Sequence, residues 1–195
     1  MDEERGGGRA AFRFRGGARV LPGTYKLVMC KDDISTKADI IVKNDPRMPE
    51  PDIEAVKKNR ARAFDLQPRI IAYNEKYKSF RDIRENLTKM NELISDQMDF
   101  ADKHKEIYDS VNEEYNNIIR SLTNRREGLS RDMSGINVLY SSTSALTEAE
   151  EESVNKAVEA IDKAEEMIDT FISEHWNRYA NFFKENNITL DKILK

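Results

Sequence analysis

Hydrophobic and polar residues alternate with a period of two near the start of the chain. From residue 24 the sequence reads TYKLVM, which places Tyr25, Leu27 and Met29 on one side of an extended backbone. This alternation is typical of a β-strand with one half-buried face. The Pro22-Gly23 pair directly before the run has the composition of a turn. The pattern therefore predicts a strand that starts at this turn.

A second apolar run follows after a short polar interruption. Lys31-Asp32-Asp33 breaks the first strand, and ADIIV at 38–42 resumes the pattern. The connection is too short for a parallel crossover, so the two strands are predicted to be antiparallel. A turn, a tyrosine, an alternating strand, a loop and a final strand resemble the last hairpin of an immunoglobulin-like sandwich. Two strands cannot bury a sheet face alone, so we expect this hairpin to pack on the helices, pair with a second copy or be partly disordered.

The spacing changes to a helical one after Pro46, Pro49 and Pro51. Asp52 is a candidate N-cap, and Pro68 is expected either to kink the first helix or to begin a new one. Apolar residues then recur every three or four positions from Ile70 to Met98. A second run extends from Ile107 to Leu129. No glycine or proline separates the two runs, so the pattern leaves their boundary open within 95–104, with Ser95-Asp96 and 102–104 as the candidate breaks.

The last helix has the clearest start signal. Thr147 and Glu150 form a capping-box pattern, and an apolar stripe continues to Phe183. A helix from Thr147 to Glu185 would be about 58 Å long. The Ser/Thr-rich stretch 136–146 is predicted to be the connection that precedes it. On this helix we expect core positions at Ile161, Ile168 and Phe171, and outward-facing positions at Lys163 and Glu166.

These patterns predict a mainly α protein in three parts. Residues 1–17 form a flexible segment rich in glycine and arginine, 18–47 form the hairpin, and 48–195 form an elongated up-down bundle of about three long helices. The first segment carries Phe12 and Phe14 between arginines. Such a segment also suits RNA contacts, but one short copy favours a simple flexible end.

Charge and composition exclude several classes of function. The net charge of −4 is spread unevenly, with +2 in residues 1–20 and −6 in residues 147–195. No cluster of cations is available for duplex nucleic acid. No run of about 20 apolar residues predicts a membrane span, and no apolar segment near Met1 predicts a signal peptide. Cys30 is the only cysteine in the sequence, so no intrachain disulfide can form. Its place in a strand predicts a buried, inert thiol.

The residue types that usually carry catalysis do not converge in the sequence. His104 and His175 lie on different predicted helices and have no metal-binding spacing. The pairs Glu151-Glu152 and Glu165-Glu166 diverge around a helix and cannot face each other across a glycosidic bond. The aromatic run at 176–183 is predicted to be bundle core and not a sugar or base platform. Two glycosylation sequons, at 86–88 and 187–189, are common by chance.

We therefore predict a chain with no catalytic, cofactor-binding or metal-binding residues, no cofactor and no enzymatic activity of its own. We expect no nucleic acid among the partners, and we expect no segment that spans a membrane.

One combination of motifs resembles a known family. LPGTYKLVM at 21–29, the next strand and VKNDPR at 42–47 resemble the C-terminal region of bacterial sortilin-like, BNR-repeat β-propeller proteins, which are often labelled glycosyl hydrolases. In those proteins a small β-sandwich with a PGxYxV hairpin follows the propeller and leads into a helical tail. The segment from Thr147 to Leu190 looks like the end of that tail.

The resemblance implies a partner and a location. It implies a noncatalytic C-terminal module of an exported parent protein, whether periplasmic, cell-surface or secreted, that packs on an upstream propeller and sandwich. Homo-oligomers through the hairpin edge or the helices are a further expectation. The Asp-box pattern of propeller blades is absent, so no catalytic residue of the family is carried over. The alternatives are a glycoside hydrolase whose active site lies in an upstream propeller and a freestanding coiled-coil adaptor.

Overall fold

The computed structural model describes residues 20–47, 49–92, 94, 100–124 and 126–186. Helices make up 72% of these residues, and the remaining regular structure is a two-stranded antiparallel hairpin. The prediction of a mainly α chain with a β-hairpin is thus confirmed. Four predicted features lie outside the described residues: the segment 1–17, the break at 95–96, the sequon at 187–189 and the tail at 190–194.

The hairpin consists of β1 (Gly23–Lys31) and β2 (Ile34–Val42). Its register is continuous from the Lys31–Ile34 pair at the turn to the Gly23–Val42 pair at the base. Asp32 has a φ of 52°, and aspartate tolerates this left-handed conformation in tight two-residue turns better than most residues do. The turn therefore fixes which residues of the two strands face each other.

Helix α1 (Ile53–Glu92) is a single element of 40 residues, about 60 Å long. Its start follows the predicted cap, because the N–H of Ala55 donates a hydrogen bond to the Asp52 carboxylate at 3.0 Å. Pro68 lies inside α1, so it does not begin a new helix. The buried positions of α1 include Ile70, Tyr73, Tyr77 and Phe80, and they form the stripe that the spacing predicted.

Helix α2 (Ala101–Thr123) is followed by three short helical elements. These are α3 (Leu129–Met133), a 3₁₀ turn (Ser134–Asn137) and α4 (Val138–Ser141). One prediction is wrong here, because Leu129 does not belong to the second long helix. The predicted connection 136–146 contains helical turns over 136–141.

Tertiary packing explains the extra helical turns. Ile136 and Leu139 are fully buried, and a Cβ on Gly135 would lie 2.3 Å from the Ser153 carbonyl oxygen. The absence of a side chain at Gly135 lets the 3₁₀ turn approach the backbone of the next long helix. This close approach buries the apolar residues of the 136–141 segment, and the burial stabilises helical structure in a Ser-rich stretch.

The last helical region comprises α5 (Glu148–Thr170), a π-helical segment (Phe171–Trp176) and α6 (Asn177–Glu185). The capping box at its start is confirmed. The Glu150 N–H donates to the Thr147 hydroxyl at 3.3 Å, and the Thr147 N–H donates to the Glu150 carboxylate at 2.8 Å. The predicted run to Glu185 is helical throughout, but its hydrogen bonding changes over the six π-helical residues.

Ion pairs and ring contacts give the directions of the helices. Arg62 pairs with Glu151, Arg69 with Asp162, and Lys76 with Asp169 at 2.7 Å. The residue numbers of the two partners increase together from one ion pair to the next, so α1 and α5 run parallel. In contrast, Phe80 stacks on Tyr115 and Arg84 donates a hydrogen bond to Asn112, so α2 runs antiparallel to α1.

The predicted core positions on α5 and the π-helical segment are confirmed. Ile161 and Ile168 are fully buried and Phe171 is nearly so, whereas Lys163 and Glu166 are exposed. Each helix of the described part of the chain is either too short or too polar to cross a lipid bilayer.

Two predictions about the hairpin are wrong. Cys30 is exposed, and the side chains of Tyr25, Leu27 and Met29 are also exposed instead of half-buried. The alternation in the sequence correctly predicts which residues share a face. Within the described residues, however, no second layer of structure covers that face.

Candidate functional site

His104 is a buried polar side chain of the helical bundle, only 3% exposed. Its Nε2 lies 2.9 Å from the hydroxyl oxygen of Tyr179, and the two groups share a hydrogen bond whose direction follows the histidine tautomer. The rings of Tyr108, Phe182 and Phe183 surround the imidazole at about 6 Å. The pair thus joins α2 to α6 inside an aromatic cluster.

Burial keeps both members of this pair neutral. Loss of solvation lowers the pKa of His104, although the nearby Asp109 carboxylate acts in the opposite direction. Burial also raises the pKa of Tyr179 well above its ordinary value, and Tyr108 adds to the effect. A neutral imidazole that is 3% exposed is closed to a substrate, so the pair acts as a buried polar link within the core.

We expect His104 to make the stability of the fold depend on pH. The unfolded chain protonates this histidine near pH 6.5, whereas the folded chain does so only at lower pH. The free energy of unfolding should therefore fall as the pH drops below about 6.5, by at most about 1.4 kcal/mol per pH unit for one proton.

Urea unfolding of wild type and His104→Gln between pH 7.5 and 5 measures this contribution. The wild-type value should fall more steeply than that of the variant over this range. His175→Gln is the matched control, because it leaves His104 in place and should keep the steeper slope. Identical slopes for wild type and His104→Gln would contradict the argument.

The π-helical segment borders a groove against α2. Within this segment Phe171 stacks on His175 with ring centroids 5.9 Å apart. Ser173 of the segment lines the groove, which has a volume of about 450 Å³. Its charged lining residues are Lys103, Arg178 and Glu185. Short π-helical insertions are frequent at functional sites, but charges of both signs line this groove and define no single ligand chemistry.

The carboxylates considered in the sequence are held apart by separate partners. Glu151 pairs with Arg62, and Glu152 pairs with Lys156 at 2.6 Å. Glu165 is half-buried and Glu166 is exposed on the next position of the helix. Across the residues that the structure describes, no group of three or more histidine, cysteine or acidic side chains is positioned to hold a metal ion.

The aromatic run near the end of the chain belongs to the core. Tyr179, Phe182 and Phe183 are buried, and Trp176 is half-buried. In the first sequon, Leu87 is fully buried between the exposed residues Asn86 and Thr88.

One face of the hairpin presents several exposed apolar side chains, and we call it the open face. Its apolar side chains are exposed, from Tyr25 at 39% to Ile34 at 76%, except Val42 at the base of the hairpin, which is half-buried. The strand register places the exposed apolar residues of this face together: Tyr25, Leu27, Met29, Ile34, Ala38 and Ile40.

The opposite face of the hairpin is more polar. It pairs Lys26 with Asp39 and Val28 with Lys37 across the two strands. This face suits solvent, whereas the open face has the composition of a sheet surface that packs against another layer.

The base of the hairpin is anchored to the chain that precedes it. The Tyr25 hydroxyl donates a hydrogen bond to the Leu21 carbonyl oxygen at 2.7 Å. A cavity of about 180 Å³ lies between this base and the start of α1, lined by Leu21, Val42 and Val56 among others. The side chain of Arg60 also lines it, and its buried Nε has no hydrogen-bond partner among the described residues.

Comparison of the chain with models of known protein families, with curated proteins and with solved structures gives no match. Of the features described above, the open face is the one whose composition suits contact with another layer. Sequence reasoning identified its β1 half from the alternation. It did not identify the β2 half, because only the strand register shows that Ile34 and Ala38 lie on the same face as Tyr25 and Leu27.

Proposed function

We propose that this chain is a noncatalytic structural and interaction module in the C-terminal region of a larger exported protein. In this proposal the hairpin completes an immunoglobulin-like sandwich contributed by upstream sequence. The observation that carries the proposal is the open face. Exposure of an apolar sheet face to water is unfavourable, and packing another layer of structure on that face removes the cost.

The hydrogen bond from Tyr25 to Leu21 supports the sandwich hypothesis. In immunoglobulin-like sandwiches a tyrosine near the start of the penultimate strand often bonds to the backbone a few residues upstream. Tyr25 is the third residue of β1, and its acceptor lies four residues before it. In this chain the Tyr25–Leu21 contact comes first, followed by β1 and then β2. The end of such a sandwich is expected to have the same order.

The helical part suits a structural role. We describe it as an elongated up-down bundle of about three long helical regions: α1, α2 with α3 and α4, and α5 with α6. The ion pairs of Arg62, Arg69 and Lys76 repeat every seven residues along α1. Each such pair contributes little to the free energy of folding. Together, however, the pairs fix how the two long helices α1 and α5 align, as a rigid structural element requires.

The family resemblance supplies the parent protein in this proposal. LPGTYKLVM and VKNDPR resemble the end of the sandwich in sortilin-like, BNR-repeat proteins. The parent would be an exported propeller protein, and its propeller and sandwich would be the first partners of the chain. A glycosidase site in that propeller remains the alternative function of the parent. A freestanding coiled-coil adaptor is less favoured, because the stripe of α5 is already buried within the chain.

Two matched substitutions test the sandwich. Leu27 on the open face and Val28 on the opposite face are 48% and 47% exposed. In this chain alone, Leu27→Asp and Val28→Asp should have equal and small effects on the melting temperature. In a longer protein translated from an upstream-extended reading frame, only Leu27→Asp should lower it, because its carboxylate would be buried without a partner. Equal effects in the longer protein would overturn the proposal.

The absence of catalysis is a separate expected result. No turnover of aryl glycosides should be detectable with the purified chain, because the acid pairs Glu151-Glu152 and Glu165-Glu166 diverge around their helix and cannot face each other across a glycosidic bond. Turnover that a single Asp or Glu substitution abolishes would contradict this, since such a substitution does not remove a contaminating enzyme.

A further inference from the structure

Among the described residues, no strand pairs with the outer edge of β2. Residues 34–41 are all exposed, and β2 pairs on its other edge with β1. Lys31 and Ile34 close a two-residue turn and form a hydrogen-bonded pair. Hydrogen-bonded and non-hydrogen-bonded pairs alternate along an antiparallel ladder. The N–H and C=O groups of Ser35, Lys37, Asp39 and Ile41 are therefore directed away from β1.

The sequence of β2 is complementary to itself in one antiparallel register. When two copies of ISTKADIIV are paired about Ala38, each Lys37 lies opposite an Asp39 of the other copy. Opposite charges at directly facing positions stabilise a strand pair, and like charges destabilise it. In the same register Ala38 faces Ala38, which brings two small side chains together at the centre.

The edge of β1 has no such complementarity. Pairing two copies of GTYKLVMCK about Leu27 sets Lys26 opposite Val28 and Lys31 opposite Gly23. Neither lysine meets an acidic residue there. The charge pattern thus distinguishes the two edges and favours β2.

We propose that two copies of this chain associate through β2, antiparallel and centred on Ala38, to form one four-stranded sheet. The outward backbone groups of Ser35, Lys37, Asp39 and Ile41 are those that this register needs, because 37 and 39 then form a hydrogen-bonded pair. The symmetry axis is perpendicular to the sheet, so the open faces of both copies lie on the same side.

The proposed pairing also extends a row of charges across the sheet. Within one copy Asp39 faces Lys26 of β1. In the dimer its other neighbour is Lys37 of the second copy. Each Asp39 would thus lie between two lysines, on the face that is already polar.

This inference goes beyond the proposed function and does not depend on it. The dimer uses the β2 edge and leaves the β1 edge and the open face available to an upstream sandwich. It is tested with this chain alone, so the failure of one proposal leaves the other intact.

Site-directed cross-linking tests the register. Ala38→Cys in a Cys30→Ser background should form an intermolecular disulfide under mild oxidation, because facing residues of a non-hydrogen-bonded pair have Cα atoms about 4.5 Å apart. Thr36→Cys in the same background is the matched control. It lies on the same face of β2, but the two substituted positions would be about 14 Å apart. Equal cross-linking of both variants, or none of either, would overturn the proposed register.

A charge exchange tests the same contact without cross-linking. Lys37→Asp and Asp39→Lys should each weaken the wild-type dimer by about tenfold in sedimentation velocity, because each sets like charges opposite each other twice. A mixture of the two variants should recover dimers, since both facing pairs are then oppositely charged. A monomeric wild type at every concentration, or dimers unaffected by either substitution, would contradict the proposal. Circular dichroism checks that both variants remain folded.

Discussion

Replacing Phe80 by alanine should lower the free energy of unfolding by about 3–5 kcal/mol, the largest single loss that we expect in this chain. Phe80 is completely buried in α1. Its ring stacks on Tyr115 of α2 with centroids 4.7 Å apart and meets the edge of Phe171 at 5.2 Å. One side chain thus connects three helical elements, and its removal leaves a cavity that no single element can fill by moving.

Chemical denaturation of wild type and Phe80→Ala measures this loss. Phe80→Leu is the matched control, because it keeps an apolar side chain in the site and should recover part of the stability. Phe64 lies on the same helix but is 59% exposed, so Phe64→Ala should cost less than about 0.5 kcal/mol. Similar losses at positions 80 and 64 would mean that the three elements do not meet as described.

Replacing Ile168 by alanine should cost about 2–5 kcal/mol, for a related reason. Ile168 is fully buried on α5, one turn before Phe171. Glu166 is only two residues away but faces solvent, so Glu166→Ala should change the free energy of unfolding by no more than about 0.5 kcal/mol.

The same denaturation measurement, made at a pH above about 7 to keep His104 neutral, checks this pair. Lys163→Ala serves as a second surface control on the same helix. Small and equal effects at 163, 166 and 168 would contradict the packing of α5. In that case the apolar stripe would be available to a partner helix, and the adaptor alternative would gain support.

Local signals in the sequence predicted the helix starts. Asp52 and Thr147 cap their helices as expected, because a cap depends on the side chain and the three backbone groups that follow it. The stripe containing Ile161 and Ile168 was also predictable, since a helical period places those residues on one side whatever packs against them.

Features that depend on distant contacts were not predictable. Residues 136–141 form helical turns because Gly135 packs on the backbone of Ser153, a residue that lies beyond the next connection. The π-helical hydrogen bonding at Phe171 likewise has no signal in a stripe that continues through it. For the candidate site, the alternation predicted the shared face of Tyr25, Leu27 and Met29, but not its exposure.

The sequence by itself thus determined the local structure of this protein: the strand alternation, the helix caps and the apolar stripes, all of which depend on neighbours within a few residues. The tertiary structure decided what those patterns do. It buried His104 against Tyr179, turned the 136–141 segment into core and left the apolar face of the hairpin uncovered. The physical reason is that burial is a property of the atoms around a side chain, and most of those atoms come from elements far away in sequence.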